Sequence, residues 1–489
     1  MATDTAFATD TKQTTETVLR LRGDTLVNPN AQPRGLGDAL RSMAAGDVGE
    51  LDLTASVLAA DGPDGVLRLQ LLLRKLESAG QLERGIRAGD RVLARLRPVG
   101  RGRAPRNATL PPAKPVKLSR FAVIRAAGGH LVAQAPRSHV EVELAPDCGC
   151  LLGTLAHWTT PAEVGRAGPG LPAEAVAAIL PLLADAGLLA AGSPQADPEC
   201  DAAAQAQWTP HDMWLHCRSR GPQLVAGYGG SYPMASRFPA LPAITGPAIT
   251  GPATTGPATT GPAGGTEIKL TVPRAVHDLP LSKALERRRS TREHDDAAPL
   301  TVDQLGELLY RTARIRGTFI ANDGQEAADR PYPSGGAGHE LEIYPLVTNC
   351  DGLPAGLWHY RAAEHALERV AEPGPVLTRM VEDTRLSSMM TGTPQLVLVI
   401  AARFGRVMWK YDTIGYSLVL KHVGVYMQTV YLVATAMGLA VCSIGGGDAA
   451  DFAAVTGLDF YAQGSVGEMI LGSRPAVPGD GIRLPGEHG

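Results

Sequence analysis

Apolar residues along this chain follow two helical or strand-like periods, and the switches between them outline its elements. Near the N-terminus, "GLGDALRSMAAG" and "VLRLQLLLRKLESAG" repeat leucine every three or four positions, with Leu69, Leu71, Leu72 and Leu76 as a stripe. That spacing predicts amphipathic helices. "QLERGIRAGDRVLARLRPVG" then splits into two strand-length runs about Gly89 and Asp90, so the first module reads as helices followed by a hairpin, a winged-helix shape. A second module reverses the order. "FAVIRAAGGHLVAQAPRSHVEVELAP" gives three short strands with a turn at Gly128 and Gly129. "CGCLLGTLAHW", "TPAEVGRAG" and "PAEAVAAILPLLADAGLLAAG" follow as helices, the last with Ala177, Leu180, Leu183 and Leu188 on one face.

The next boundary is compositional. "TGPAITGPATTGPATTGPAGG", Thr245 to Gly265, repeats a five-residue unit with nothing to bury and prolines that favour extended conformers. It reads as a tether. Beyond it, "LPLSKALERRRSTREH" predicts a short helix with arginines at its end. "LTVDQLGELLYRTARI" predicts a helix capped by Thr301, with Gln304 at capping-box spacing and Leu305, Leu308 and Leu309 buried. "PQLVLVIAARF" and "GEMILGS" are continuous apolar runs of strand length, and "YSLVLKHVGVYMQTVYLVATAMGLAV" is long enough for a buried helix. Long helices around a buried sheet make this an α+β domain.

Composition narrows the function classes. The chain has 489 residues, 44% of them apolar, and a formal charge of −3, which argues against a protein built to coat nucleic acid. Its six cysteines, Cys148, Cys150, Cys200, Cys217, Cys350 and Cys442, show no C-x-x-C pairing, so neither a zinc site nor a disulfide framework is expected. The polar N-terminus is no signal peptide, and Lys421, His422 and Gln428 interrupt the long apolar run, so no membrane span is expected and a cytoplasmic location is. There is no G-x-x-x-x-G-K-[ST] loop and no H-E-x-x-H helix. His339 and His359 read as loop and strand histidines. Trp158, Trp208 and Trp214 read as packing residues.

The arginine-rich stretch is the chemical focus. Arg288, Arg289, Ser290, Thr291 and Arg292 set guanidinium forks and hydroxyls within one turn, a pattern suited to a phosphate. As R-R-S-x-R it resembles the N-terminal signature of the flavin-dependent nitroreductase superfamily. "RPYPSGGAGHELEIY" is similar to that family's P-S-x-G loop, and "CSIGGGD" to its glycine loop. The resemblance implies that Arg288, Arg289, Ser290, Arg292, Pro333, Ser334, Gly335, Gly336, Gly445 and Gly446 hold FMN. It also implies a second phosphate ligand near the C-terminus, with Arg474 and Arg483 both open as candidates.

One branch is closer still. "RPYPSGGAGHELEIYPLV", the hairpin "GLWHYRAAEHALERV" and "WKYDTIGYSLVLKHVGVYMQTVYLVATAMGLAVCSIGGGD" resemble the SagB-type azoline dehydrogenases, over essentially everything from Leu279 onward. That branch oxidises thiazolines or oxazolines in ribosomally made peptides to thiazoles or oxazoles. Its catalytic Lys-Tyr pair falls on Lys410 and Tyr411. A lysine whose proton affinity is lowered by burial could remove the α-proton, and a tyrosine could orient or relay it. The sequence departs from the branch at Ser417 after Tyr416, at "LKHVG" where an aspartate is common, and at Gly447 where an aromatic is usual.

The expected organisation is a tail at 1–15, a winged-helix-like module at 16–110, and a second such module of peptide-recognition type at 116–195. A connector with its linker follows at 196–265, and a nitroreductase-like FMN domain at 266–489. The expected partners are an azoline-containing precursor peptide and a cyclodehydratase, with a homodimer as the working form and no nucleic acid or membrane. Two other readings stay open. One is a general NAD(P)H-dependent nitroreductase or ene-reductase. The other is an inactive scaffold that binds a precursor or cyclodehydratase.

Overall fold

The computed structural model describes residues 14–23, 27–99, 110–167, 170–220, 229–244, 266–274 and 279–475. The expected tether at 245–265, Arg483 and all but the last two residues of the expected tail lie outside them. The chain divides into two units, 1–228 and 229–489.

In the first unit, β1 (Thr15–Leu21), α1 (Arg34–Ala45), β2 (Val48–Gly49), α2 (Glu50–Ser78), β3 (Leu82–Ala88) and β4 (Arg91–Pro98) form the first module. α2 is two helices in one, broken where Gly62 takes φ +67° ahead of Pro63. The expected hairpin is β3–β4, and Gly89 supplies its left-handed turn at φ +59°. The second module holds β5 (Val116–Leu118), β6 (Val123–Ala127), β7 (His130–Gln134), β8 (Val140–Leu144), α3 (Gly149–Thr154), α4 (Pro161–Arg166), α5 (Ala173–Asp185) and β9 (Leu189–Ala191). α6 (Pro198–Asp201), α7 (Ala203–Ala206) and α8 (Pro210–Arg220) complete the unit.

The two modules have cores around Leu40, Leu69 and Leu73 and around Leu151, Ile179 and Leu183, and the second core also takes in Ile86, Leu93 and Ala94 from β3 and β4. They share one antiparallel sheet in the order β2-β1-β3-β4-β8-β7-β6. Pairing of Leu96 with Val142 and its neighbours across β4 and β8 makes the sheet continuous.

The second unit is a seven-stranded sheet with helices on both faces. Its elements are β10 (Glu267–Lys269), α9 (Leu281–Arg287), α10 (Val302–Ala313), β11 (Gly317–Ile320), β12 (Glu326–Asp329), β13 (Leu341–Val347), β14 (Gly356–Arg361), β15 (Ala366–Ala371), α11 (Pro375–Ser388), β16 (Leu396–Arg403), α12 (Phe404–Met408), α13 (Gly415–Ala436), β17 (Leu439–Ile444), α14 (Ala449–Thr456) and β18 (Gln463–Ser473). The order is β10-β15-β14-β13-β16-β18-β17, and β11–β12 forms a separate hairpin.

Strand β16 shows why the sequence reads as an apolar run. All eight of its residues are buried. Leu396, Leu398, Ile400 and Ala402 face α10 and α13, while Val397, Val399 and Ala401 face α11 and α14. Period-two alternation puts side chains on both faces, and both faces are covered. Thr301 and Gln304 close the expected capping box on α10, at 3.2 and 3.0 Å. No helix among the described residues is long and apolar enough to cross a membrane.

Candidate active site

Two clusters of functional side chains lie along α13, around His422 and Tyr431, nine residues and so about 14 Å of helical rise apart.

The first cluster collects the arginine-rich segment. α9 ends at Arg287, and Arg288 turns out of helical geometry with its guanidinium over the Tyr431 ring, 5.2 Å from the centroid. Tyr431 is the junction. Its hydroxyl accepts the Ser443 N–H at 2.8 Å and shares a hydrogen bond with Ser290 Oγ at 2.9 Å. The Thr291 N–H donates to the Val441 carbonyl, so segment 290–292 runs beside β17. Arg289 folds back instead, donating to the carbonyls of Glu286 and Arg288 at the helix end.

Arg292 is half-buried, and its Nε is shielded from solvent with no hydrogen-bond partner. An orphaned, buried guanidinium donor suits a phosphate, which would supply the missing acceptor. The Asp295 N–H donates to the Ser473 carbonyl, so the end of β18, and with it Arg474, lies next to this segment. His294, between them, is pushed down to about 4 by burial and is neutral at physiological pH.

The glycine loop lies at the other end of β17. Gly445, Gly446 and Gly447 are exposed, and Asp448 caps α14 through the Ala450 and Asp451 N–H groups. A Cβ at Gly445 would meet nothing within 4 Å, whereas one at Gly447 would fall on the Glu468 carboxyl group. Glu468 therefore occupies the space beside Gly447.

The second cluster surrounds the P-S-G-G loop. Gly336 takes φ +61°, and a Cβ there would meet Lys410 Nζ and Tyr411 Oη, each at 2.9 Å. Both members of the sequence-predicted pair therefore converge on one glycine. The loop is held from behind by His422, whose Nε2 accepts the Gly335 N–H at 2.8 Å. That places the ring proton on Nδ1, which donates to Glu340 Oε1 at 2.7 Å. Ser334 Oγ accepts the His339 N–H at 3.0 Å. Pro333 is exposed at the mouth of the loop.

Arg406, fully buried on α12, donates to the carbonyls of Gly338, Leu241 and Glu326 at 2.6, 2.6 and 2.8 Å. One side chain thus ties the loop to segment 229–244 and to the β11–β12 hairpin. His339 is pushed down to about 3 by burial, so it stays neutral as a loop histidine.

Lys410 differs from expectation. A lowered proton affinity would fit a base, but Lys410 is raised above the ordinary lysine value. Desolvation is the largest single effect and opposes this, but the 2.6 Å ion pair with Asp323 and the nearby Tyr411 and Tyr232 together outweigh it. Tyr232 donates to the same carboxylate oxygen at 2.9 Å. Asp323, Tyr232, His422, Glu340 and Tyr431 were not singled out from sequence as site residues. Among the described residues no group of three or more His, Cys, Asp or Glu side chains could hold a metal.

Comparison with known proteins gives two family matches. The nitroreductase family matches residues 285–473, and the cyanobactin oxidase ThcOx family matches residues 116–223. The Methanocaldococcus jannaschii nitroreductase-type protein MJ1384 is 30% identical over 183 residues, covering 37% of this chain and 85% of that protein. The Escherichia coli microcin B17-processing protein McbC is 34% identical over 119 residues, covering 22% of this chain and 42% of that protein. Among solved structures, the E. coli microcin synthetase McbBCD complex with truncated pro-MccB17 shares 21% identity. The match covers 51% of this chain and 88% of that one, with a TM-score of 0.33.

Proposed function

Because the chain belongs to the nitroreductase family, we propose that it is an FMN-dependent oxidoreductase that aromatises thiazolines or oxazolines in a ribosomally made peptide. The observation that carries this reading is the convergence of Lys410 and Tyr411 on Gly336, in a chain whose sequence also matches McbC and the ThcOx family. A general nitroarene reductase has no evident need for a paired cation and phenol at that place.

Arg288, Ser290 and Arg292 would hold the FMN phosphate and ribityl chain, with Arg474 as a further cation beside them. The glycine loop lets backbone N–H groups approach the ring. Bound there, FMN would supply the acceptor for a hydride, with dioxygen as the final oxidant, reduced to hydrogen peroxide. The azoline ring loses that hydride from the carbon next to its heteroatom and a proton from the carbon α to the acyl group. Tyr411 accepts the α-proton as it releases its own to water. Lys410 faces the acyl oxygen, where negative charge builds as the α-proton leaves.

The first unit binds the precursor peptide and a cyclodehydratase partner, in keeping with the family match at 116–223. The working form is a cytoplasmic homodimer, supported by Tyr416, Leu420 and Val425, which leave apolar surface exposed along α13.

The test is substrate competition. Purified protein reconstituted with FMN is given a thiazoline peptide in air, or NADPH with a nitroarene. Loss of two hydrogens from the peptide ring, with slow NADPH turnover, is the expected result. Rapid NADPH turnover with an inert peptide would replace this reading with the general reductase.

A further inference from the structure

Asp323 lies at the tip of the β11–β12 hairpin, in the turn Ala321–Asn322–Asp323–Gly324. Gly324 takes φ +80°, and Asp323 Oδ1 accepts the Gln325 N–H at 3.1 Å. Sequence alone makes this an ordinary N-D-G turn. The structure anchors it. The buried Gln325 side chain donates to the Arg406 carbonyl at 2.9 Å, fixing the tip against α12. Asp323 Oδ2 then reaches Lys410 Nζ at 2.6 Å.

The other support comes from segment 229–244. The N–H groups of Ser231 and Tyr232 donate to the Lys410 carbonyl, at 2.9 and 3.0 Å. Trp409 Nε1 donates to the Phe238 carbonyl at 2.8 Å, and the Trp409 ring meets Tyr232 edge-on. Tyr232 holds φ +51°, a left-handed conformation that a non-glycine side chain adopts at a cost. In that conformation its hydroxyl reaches the Asp323 oxygen that pairs with Lys410.

A lysine meant to take up a proton has to be neutral, which calls for burial without an anion. Lys410 has the opposite surroundings. Its charged neighbour is a carboxylate, the flanking phenols are Tyr232 and Tyr411, and its head group is aimed at an exposed glycine.

We propose that Asp323 and Tyr232 are positioning residues, which fix Lys410 as an ammonium directed at Gly336 so that it serves as a cationic hydrogen-bond donor to the substrate's acyl oxygen and not as the base. The role in catalysis rests on the azoline reading above, whereas the ion pair can be tested without it.

The experiment uses the full chain, with and without FMN. Reductive methylation with formaldehyde and borohydride at mildly alkaline pH labels only neutral amines. Lys410 labelling is quantified by peptide mass spectrometry against exposed Lys283. An opposite charge at this distance shifts an amine by one unit or more, so Asp323→Asn should raise Lys410 labelling about tenfold. Asp323→Glu should bring it back toward the parent rate, and Tyr232→Phe, which keeps the carboxylate, should change it less than Asp323→Asn. Lys410 labelling at the parent rate in Asp323→Asn would overturn the proposal, as would Asp323→Glu behaving like Asp323→Asn. On an azoline peptide, Asp323→Asn should lower kcat more than it raises KM, with recovery in Asp323→Glu. An unchanged kcat would remove the positioning role. An azoline peptide inert with the parent enzyme would overturn the azoline reading and leave the labelling result standing.

Discussion

Glu468 gives the sharpest quantitative handle on the second unit. It lies on β18, only 7% exposed, with its carboxyl in the space a side chain at Gly447 would need. Burial pushes it up from 4.5 to about 7, against a smaller opposing effect of the Ser465 hydrogen bond. The folded state therefore holds this proton more tightly than the unfolded chain. The stabilisation is fully present below pH 4.5, fades as pH rises, and is gone above about 7. At about 1.4 kcal/mol per tenfold change in proton affinity, the ionised form costs about 3 kcal/mol, of which about 2.5 kcal/mol develops between pH 5 and 8.

Glu468→Gln keeps the size and removes the charge. In flavin-free protein its thermal transition for the C-terminal unit should lie close to the parent's at pH 5 and about 5–8 °C above it at pH 8. The assay is differential scanning calorimetry of both proteins at the two pH values. A melting difference that does not change with pH would refute the buried-proton account.

Three further outcomes follow from the same geometry. Lys410→Ala should slow azole formation about 10²–10⁴-fold while the purified protein stays yellow, read by peptide mass and visible absorbance. Arg292→Ala should weaken FMN binding about 10–100-fold, measured by flavin fluorescence titration, because a charge-assisted phosphate contact is lost. His422→Ala strands the Gly335 N–H and the Glu340 carboxylate. It should destabilise the C-terminal unit by about 2–3 kcal/mol in chemical denaturation, with Glu340→Gln in the same background recovering part of the loss.

Local patterns carried much of the fold. The capping box at Thr301, the apolar run of β16 and the β3–β4 hairpin each depend on residues close in sequence, so spacing was enough. The continuous sheet of the first unit was not legible, because β4 and β8 pair across more than forty residues of chain.

The site divides in the same way. Arg288, Ser290, Lys410 and Tyr411 stood out because they fall in short motifs. Tyr431 and His422 read only as part of a buried helix, and their roles depend on what faces them across space. Asp323 sits in a common turn, and Tyr232 lies 178 residues from Lys410. No periodicity joins them. The raised proton affinity of Lys410 is hidden for the same reason: burial is legible from neighbours in sequence, and a distant carboxylate is not.

The most direct measurement of the central claim is an anaerobic single turnover. FMN-loaded protein is mixed with a thiazoline peptide and no NADPH, and the flavin absorbance is followed with the peptide mass. Bleaching matched by loss of two hydrogens from the peptide ring is the predicted result. Flavin that stays oxidised with the peptide and bleaches only with NADPH would contradict the account.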